Sequence, residues 1–268
     1  MAATLSRLRA DLQVRHQQSL EKGLRITLNE EQLAARPPTL LYSQALVPIR
    51  KQFDVAVNGE RVNVDLLAGL VRGADEDRDE GSAEEFQRPG EAGWYLFCNG
   101  RLVFAAERTR LTGWGSVGAA YHPQYRNFRG YVLLVADNSA LLPWNTTKTG
   151  VDEDSRVFRV VQSEMQNALR RVQSIINRLK QERRDRDPED RPLDAAIAAA
   201  TETPLRALPS SEAFVAPPTP PAPPAPRQRV VYDVDRERFD QVAEVLGVSA
   251  PGDVGRGTFD HYFRTQVQ

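Results

Sequence analysis

The clearest pattern in the chain is Gly93-Trp-Tyr-Leu-Phe-Cys-Asn-Gly-Arg-Leu-Val-Phe-Ala-Ala106. Two apolar runs flank an Asn-Gly pair, and these two residue types readily adopt the positive φ angles that a tight type I′ turn requires. The pattern therefore predicts a β-hairpin with strands at 93–98 and 101–106. The two strands carry aromatic and β-branched side chains that favour a central position in a sheet, namely Trp94, Tyr95, Phe97, Val103 and Phe104.

A second hairpin and a buried strand extend this pattern on both sides. Residues 53–57 and 61–70 flank Asn58-Gly59, which is again the signal of a type I′ turn. Residues 130–136 form a continuous apolar run, which is typical of a strand that is buried on both faces. Together these segments predict a mixed β-sheet.

Helical periodicity marks two other segments. Residues 4–22 repeat Leu at helical spacing and stop before Gly23, and residues 24–28 alternate as a short strand. Acidic residues and Ser155 predict the capped start of a helix that runs to about Lys180 with one apolar face. The fold class is therefore α+β, with hairpins in a mixed sheet and a long C-terminal helix.

Composition divides the chain into three parts. We expect an α+β domain over 1–185 with an acidic, exposed loop at 72–93, and then a disordered linker over 186–228, because prolines crowd 217–226. Residues 229–268 predict a small β-α-α module, with a strand at 229–234 and helices at 236–246 and 252–264. About 40 residues bury too little surface to be stable alone, so this module is expected to dimerise or dock.

Charge and cysteine content narrow the function classes. The 35 basic residues balance 36 acidic ones, which gives no sign of non-specific binding to nucleic acid or membrane. Cys98 is the single cysteine, so we expect no intrachain disulfide and a reducing, cytoplasmic location. The three histidines are scattered, so no metal site is predicted. No apolar stretch approaches the ~20 residues that span a bilayer.

A lysine in a hydroxyl-rich loop is the main candidate for chemistry. Lys148 lies in Leu142-Pro-Trp-Asn-Thr-Thr-Lys-Thr-Gly150, in a chain with four lysines whose other basic residues are arginines. An ammonium binds a terminal phosphate as a compact point charge, whereas a guanidinium binds as a fixed fork. The residues alone leave two alternatives open, a phosphate-contact loop and a solvated polar turn.

Four spaced motifs carry a resemblance to a known family. They are residues 93–101, Leu-Thr-Gly-Trp-Gly at 111–115, His-Pro-Gln-Tyr-Arg-Asn-Phe-Arg-Gly at 122–130, and 142–150. In this order they resemble the C-terminal part of GHKL-type ATPases, the superfamily of DNA gyrase B subunit, heat-shock chaperones, histidine kinases and MutL. The likeness is to bacterial histidine kinase-like ATP-binding proteins, with MORC-like ATPases as relatives. It covers 93–180 and extends more weakly towards both ends.

This resemblance implies a transducer domain with a βαβ-rich fold like that of a ribosomal protein. In that superfamily the transducer sends one lysine into a neighbouring ATP site, where it contacts the γ-phosphate. By motif position Lys148 resembles that catalytic lysine, and the residues that would support its loop are Asn145, Thr146, Thr147 and Thr149.

The family's nucleotide-binding motifs are absent from the sequence. We find no Asn-bearing helix with a Glu base, no Asp-x-Gly-x-Gly turn and no Gly-rich lid. The chain is therefore expected to be inactive alone and to be a fragment, a split-gene product or one partner of a separate GHKL ATP-binding domain. ATP and Mg²⁺ would bind only with that partner, because one lysine cannot hold a nucleotide.

The alternative function is a non-catalytic adaptor. Strand, helix, turn and helix over 229–268 follow the order of ribbon-helix-helix dimers, so this module would form a homodimer or bind DNA. Arg227 and Arg229 are the candidate DNA contacts. A self-contained hydrolase built on His122 and Tyr125 has less support, because no nucleophile elbow is visible.

Overall fold

The computed structural model describes residues 2–35, 37–72, 92–145, 147, 150–219 and 230–267, and the structural statements below concern these residues. The helices are α1 (Ala2–Arg15), α2 (Gln17–Glu21), α3 (Arg156–Asp185), α4 (Pro192–Ala199), α5 (Arg236–Leu246) and α6 (Pro251–Gln266). The strands are β1 (Thr27–Leu28), β2 (Glu31–Gln32), β3 (Thr39–Tyr42), β4 (Ile49–Val57), β5 (Glu60–Leu70), β6 (Gly93–Cys98), β7 (Arg101–Glu107), β8 (Phe128–Val135) and β9 (Thr201–Pro204). The chain divides into two units near residue 220.

A five-stranded sheet in the order β4-β5-β8-β6-β7 forms the centre of the first unit. Only β6 and β8 run parallel, and the other neighbours are antiparallel. Both predicted hairpins are confirmed, since Asn58 and Gly59 have φ angles of 53° and 84° and Asn99 and Gly100 have 46° and 82°. The α+β class and the mixed sheet are therefore as the sequence predicts.

Two local expectations need correction. The central position expected for both strands of the second hairpin holds only for β6, because β7 lies at the edge of the sheet. The first helix is interrupted at His16, so that α1 and α2 replace one continuous helix over 4–22. The expected loop at 72–93 falls mostly outside the described residues.

Helix α3 covers one face of the sheet. Alternate residues of a strand point to opposite faces, and on β5 the buried set is Val62, Val64, Leu66, Ala68 and Leu70. These side chains share one core with apolar residues of α3 at helical spacing, Val157, Val161, Met165, Leu169, Val172 and Ile176. The helix follows β8 and precedes β9 in a separate sheet, so it does not connect two strands of the five-stranded sheet.

The close contact between β6 and β8 leaves room only for a glycine at residue 130. Gly130 on β8 lies opposite Trp94 on β6, and a Cβ atom at Gly130 would lie 2.2 Å from the indole ring. Trp94 also packs edge to face on Phe128, with ring centroids 5.5 Å apart. The indole therefore occupies the space that a side chain at residue 130 would need.

The second face of the sheet carries a smaller apolar cluster. Leu67, Tyr95, Phe97 and Tyr131 point to this side, and the rings of Tyr95 and Tyr131 stack at 5.4 Å. The chain that covers them comes from both ends of the first unit, namely Leu40 of β3 and, after β9, Leu205 and Leu208. Full burial raises the pKa of the Tyr131 hydroxyl.

The expected disordered linker over 186–228 does not describe residues 188–215, which fold back onto the sheet. Strand β9 pairs with β3 from Thr39 opposite Pro204 to Tyr42 opposite Thr201. Further backbone bonds join Arg50 to Ser211 and Val47 to Val215. Composition alone suggested a linker, but contacts with residues far away in the sequence give this segment its structure.

Glu182 near the end of α3 helps to turn the chain back. Its carboxylate is buried and accepts hydrogen bonds from the backbone N–H of Leu193, at 2.9 Å, and of Asp194, at 3.1 Å. These amides belong to the first turn of α4, where no earlier carbonyl is available to them. Glu182 therefore caps a helix that begins ten residues later in the chain.

The second unit consists of α5 and α6. Asp235 caps α5 by accepting hydrogen bonds from the N–H groups of Glu237 and Arg238, and Gly247 ends the helix with a φ of 67°. The two helices agree with the predicted positions. The strand predicted over 229–234 is not formed within the single chain at residues 230–234, which lie in neither a helix nor a strand. Across both units, no described helix is long and apolar enough to cross a bilayer.

Removal of the Glu182 carboxylate tests whether this side chain caps α4 and so holds the segment that follows α3. We expect Glu182→Ala to lower the free energy of unfolding of the first unit by about 2 kcal/mol, because the buried N–H of Leu193 and the half-buried N–H of Asp194 lose their acceptor. Tryptophan fluorescence during urea unfolding reports on this unit alone, since Trp94, Trp114 and Trp144 all belong to it. The control is Glu189→Ala, which removes an exposed carboxylate from the segment between α3 and α4. Equal effects of the two variants would contradict the capping role.

Lys51 gives the fold a pH dependence at alkaline pH. Its ammonium donates to Glu164 on α3 at 2.7 Å and lies 3.4 Å from Glu212. The bond to Glu164 raises the pKa of Lys51 above 10.5, so the pairing stabilises the fold fully below the unfolded pKa and is lost as the pH rises through the folded pKa. We expect the difference in unfolding free energy between wild type and Lys51→Met to shrink above about pH 10. A constant difference up to about pH 11 would show that the ammonium contributes nothing through its charge.

Candidate functional site

The ends of the Lys148 loop are fixed by backbone hydrogen bonds. Trp144 and Val151 form an antiparallel bridge, and the N–H of Asn145 donates to the carbonyl of Gly150 at 2.9 Å. One step further out, the N–H of Asp152 donates to the carbonyl of Pro143 at 3.0 Å. Residues 143–145 and 150–152 therefore form the paired base of a short hairpin.

Two of the predicted loop-support residues lie side by side within this hairpin. The Thr147 hydroxyl donates to the side-chain carbonyl of Asn145 at 3.0 Å, and Thr147 is exposed whereas Asn145 is half-buried. Gly150 faces the same amide, because a Cβ atom there would lie 3.1 Å from Asn145 Nδ2. Thr146, Lys148 and Thr149 fall outside the described residues, so their expected roles stay predictions.

A cleft of about 450 Å³ adjoins the base of this hairpin. Its apolar wall includes Val57, Leu142 and Trp144, and its polar wall consists of Asn58, Asn145, Asp152, Ser155 and Arg156. Asp152 and Arg156 carry opposite charges, so the described wall has no excess of positive charge to bind an anion.

The cleft also borders the start of α3. The predicted cap at Ser155 lies at the correct position but makes no side-chain capping bond. Instead the Asp152 carboxylate accepts from the N–H of Asp154 at 3.1 Å, and Arg159 donates to the carbonyl of Asp154 at 2.8 Å. The loop is thus joined to the helix through a short, hydrogen-bonded segment.

The glycine-rich segment at 109–127 is held against the same helix by glutamines. Gln173 is buried and makes two bonds with Ala119, since its Oε1 accepts from the backbone N–H and its Nε2 donates to the carbonyl, both at 3.0 Å. Gln162 donates to the carbonyl of Leu111 at 2.8 Å. Sequence reasoning missed both residues, although a glutamine at 173 beside the apolar face of α3 was a visible signal.

His122 and Tyr125, on which the hydrolase hypothesis rests, both make contacts that stabilise the surrounding segment. His122 Nδ1 accepts from the N–H of Gln124 at 3.2 Å and caps a one-turn helix. The Tyr125 hydroxyl donates to Asn177 on α3 at 3.1 Å, while its ring packs on Trp114 with centroids 5.7 Å apart. These contacts stabilise the segment and do not assemble a nucleophile with a base.

Three other predictions concern metals, the thiol and DNA. The described residues contain no group of three or more His, Cys, Asp or Glu that could hold a metal ion. Cys98 is buried, and burial raises the pKa of its thiol to about 12. Arg227 and Arg229, the predicted DNA contacts, fall outside the described residues. In the remainder of the C-terminal sequence, 230–268, carboxylates outnumber arginines by seven to four.

Comparison with known proteins identifies no family for this chain. No protein-family model matches it, and no curated protein matches it. Among solved structures it is similar to the B-subunit of the DNA gyrase from Myxococcus xanthus, with a TM-score of 0.26 and 13% sequence identity. That alignment covers 62% of this chain and 45% of the gyrase chain, so this chain spans less than half of its length. A TM-score this low does not establish a shared fold.

The contact between Gly118 and Gln173 tests how the glycine-rich segment is held. A Cβ atom at residue 118 would lie 2.5 Å from Gln173 Oε1, so Gly118→Ala forces the amide away from Ala119. We expect this variant to lower the free energy of unfolding by about 2 kcal/mol, because the bonds between Gln173 and Ala119 are lost. In a Gln173→Ala background the same glycine substitution should have little further effect, because the obstructing amide is gone. Additive effects in this double-mutant cycle, measured by urea unfolding, would contradict the proposed contact.

Proposed function

We propose that this chain is the transducer half of a GHKL-type ATPase and that Lys148 contacts the γ-phosphate of ATP held by a separate ATP-binding domain. The observation that carries the proposal is the closed hairpin at 144–151, whose ends are paired by backbone bonds directly before a 30-residue helix. Such a hairpin is suited to carry a cation on its tip to a partner surface. The order of the four sequence motifs supports the same proposal.

The chemistry of the loop explains why a partner is required. One exposed ammonium gains about 1 kcal/mol from an anion in water, because both charges stay hydrated. The same ammonium contributes far more where a docked domain excludes water. Asn145 and Thr147 are neutral and pair with each other, so Lys148 is the one basic residue between 142 and 150.

The cleft beside the hairpin has walls of mixed charge, because both Asp152 and Arg156 line it. Such walls give little attraction to a triphosphate. Under the proposal, ATP and Mg²⁺ are therefore held by the partner domain. This chain supplies a single positive charge and the rigid support behind it.

Helix α3 is the element through which movement of the loop would reach the rest of the chain. The hairpin ends at Val151 and the helix begins at Arg156, so the connection is too short to absorb a large displacement. Because the helix is packed along the sheet, a shift of the hairpin would move helix and sheet as one body. This rigid connection is the physical basis for a transducer role.

The alternative of an adaptor rests on the second unit. In the described part of that unit the excess of carboxylates disfavours phosphate, and large apolar side chains are exposed. These observations favour protein docking over DNA binding.

The proposed role of Lys148 is tested by phosphate release from ATP. The full chain alone should release none, and mixing it with a GHKL ATP-binding domain from the same genome should give turnover. We expect Lys148→Ala to reduce that turnover by at least about tenfold, since a charge stabilised in a dry site is lost. Lys148→Arg should restore little, because a planar fork does not replace a point charge.

Lys22→Ala is the matched control, because Lys22 is an exposed lysine outside the hairpin. Turnover that is unchanged in Lys148→Ala, or equally reduced in Lys22→Ala, would sink the proposal. Turnover by the chain alone would also contradict it.

A further inference from the structure

We propose that residues 230–267 form a docking surface for a second copy of this chain, in which residues 230–234 of the two copies pair as antiparallel strands. This inference does not depend on the proposed function of Lys148. It rests on exposed apolar area, on the small interior of the unit and on backbone groups that have no partner in the described chain.

Exposed apolar side chains are concentrated in this unit. Most of the large apolar residues that the described chain exposes lie between residues 230 and 267, with exposed fractions that include 87% for Val245, 75% for Val231, 65% for Tyr262 and 63% for Phe259. Together they present on the order of 1,000 Å² of surface, against about 800 Å² per partner in a standard interface. This exposed apolar area is large for a unit this small, which favours an interaction surface.

The interior of the unit is too small to stabilise it alone. Val254 is its one buried apolar side chain among the described residues, and Leu246 packs against Gly257 between the two helices. Units of about 40 residues usually need a disulfide, a metal or a second subunit. The sequence of this unit contains no cysteine, so a second subunit is the route that its composition favours.

Residues 230–234 provide the backbone part of the surface. The segment reads Val-Val-Tyr-Asp-Val, is exposed throughout, and its backbone bonds to no other described residue. Its β-branched and aromatic side chains favour a strand, and unpaired backbone groups are a template for another strand. The strand that the sequence predicts here would therefore form only between two copies.

A second copy of the chain fits this surface better than nucleic acid does. A two-fold axis through Tyr232 places Val230 of each copy opposite Val234 of the other, so the face that carries Val230, Tyr232 and Val234 is complementary to itself. Phe259, Tyr262 and Phe263 share one side of α6 at helical spacing and can pack around the same axis. Nucleic acid is disfavoured by the excess of carboxylates over arginines.

Sedimentation of the full chain tests the association. The monomer has a mass of 30.0 kDa, so a dimer of about 60 kDa should appear at micromolar concentration. We expect Phe259→Ser with Tyr262→Ser to weaken the dimer at least tenfold, whereas Leu24→Ser, at a similarly exposed leucine of the first unit, should leave it unchanged. A monomer at all concentrations up to about 100 μM would overturn the proposal and assign the surface to another partner.

Cysteine cross-linking tests the pairing itself, even if the serine variant is poorly folded. Cys98 is buried and its thiol pKa is raised to about 12, so an introduced cysteine is the reactive one. Tyr232→Cys on the axis should form a disulfide between copies, because directly opposed residues of antiparallel strands lie within disulfide range. The control is Ser249→Cys, in the exposed turn between α5 and α6. Equal cross-linking at both positions, or none at residue 232, would overturn the strand pairing.

Discussion

Burial of one face of helix α3 against the five-stranded sheet is the interaction on which the first unit depends. The apolar stripe of this helix supplies much of the larger core, and its polar residues hold the surrounding segments in place. Lys51 of the sheet pairs with Glu164, Ala119 of the glycine-rich segment bonds to Gln173, and α4 is capped by Glu182. Because these contacts share one rigid element, the candidate hairpin at its N-terminal end and the chain return at its C-terminal end have a common support.

The parts of this fold that sequence alone predicted are those that local chemistry determines. Asn58-Gly59 and Asn99-Gly100 specify their turns through two residues each, and α3 is specified by a repeat of apolar side chains over 30 residues. The return after residue 186 was not predicted, because its structure depends on partners such as Glu182, Arg50 and Leu40 that lie far away in the sequence. Its proline content suggested a disordered linker, whereas residues 188–215 are folded.

The candidate site likewise has parts that the sequence predicts and parts that depend on contacts between distant residues. The loop around residue 145 could be placed between a strand and a helix from sequence, whereas its closure by the bridge between Trp144 and Val151 was not predicted. The mixed charge of the adjoining cleft could not be anticipated, since it arises from Asp152 and Arg156 meeting the β4–β5 turn at Asn58. Gln162 and Gln173 were overlooked because a polar residue on a long helix is ordinarily assigned to solvent.

The cover over the second face of the sheet has a consequence for synthesis of the chain. Tyr95, Phe97 and Tyr131 emerge from the ribosome well before Leu205 and Leu208, and β3 has no strand partner until β9 is made. For that interval the nascent polypeptide presents an apolar patch together with an open strand edge, which is the combination that chaperones bind and that seeds aggregation. Loss of residues 187–215 would recreate that state in the mature molecule.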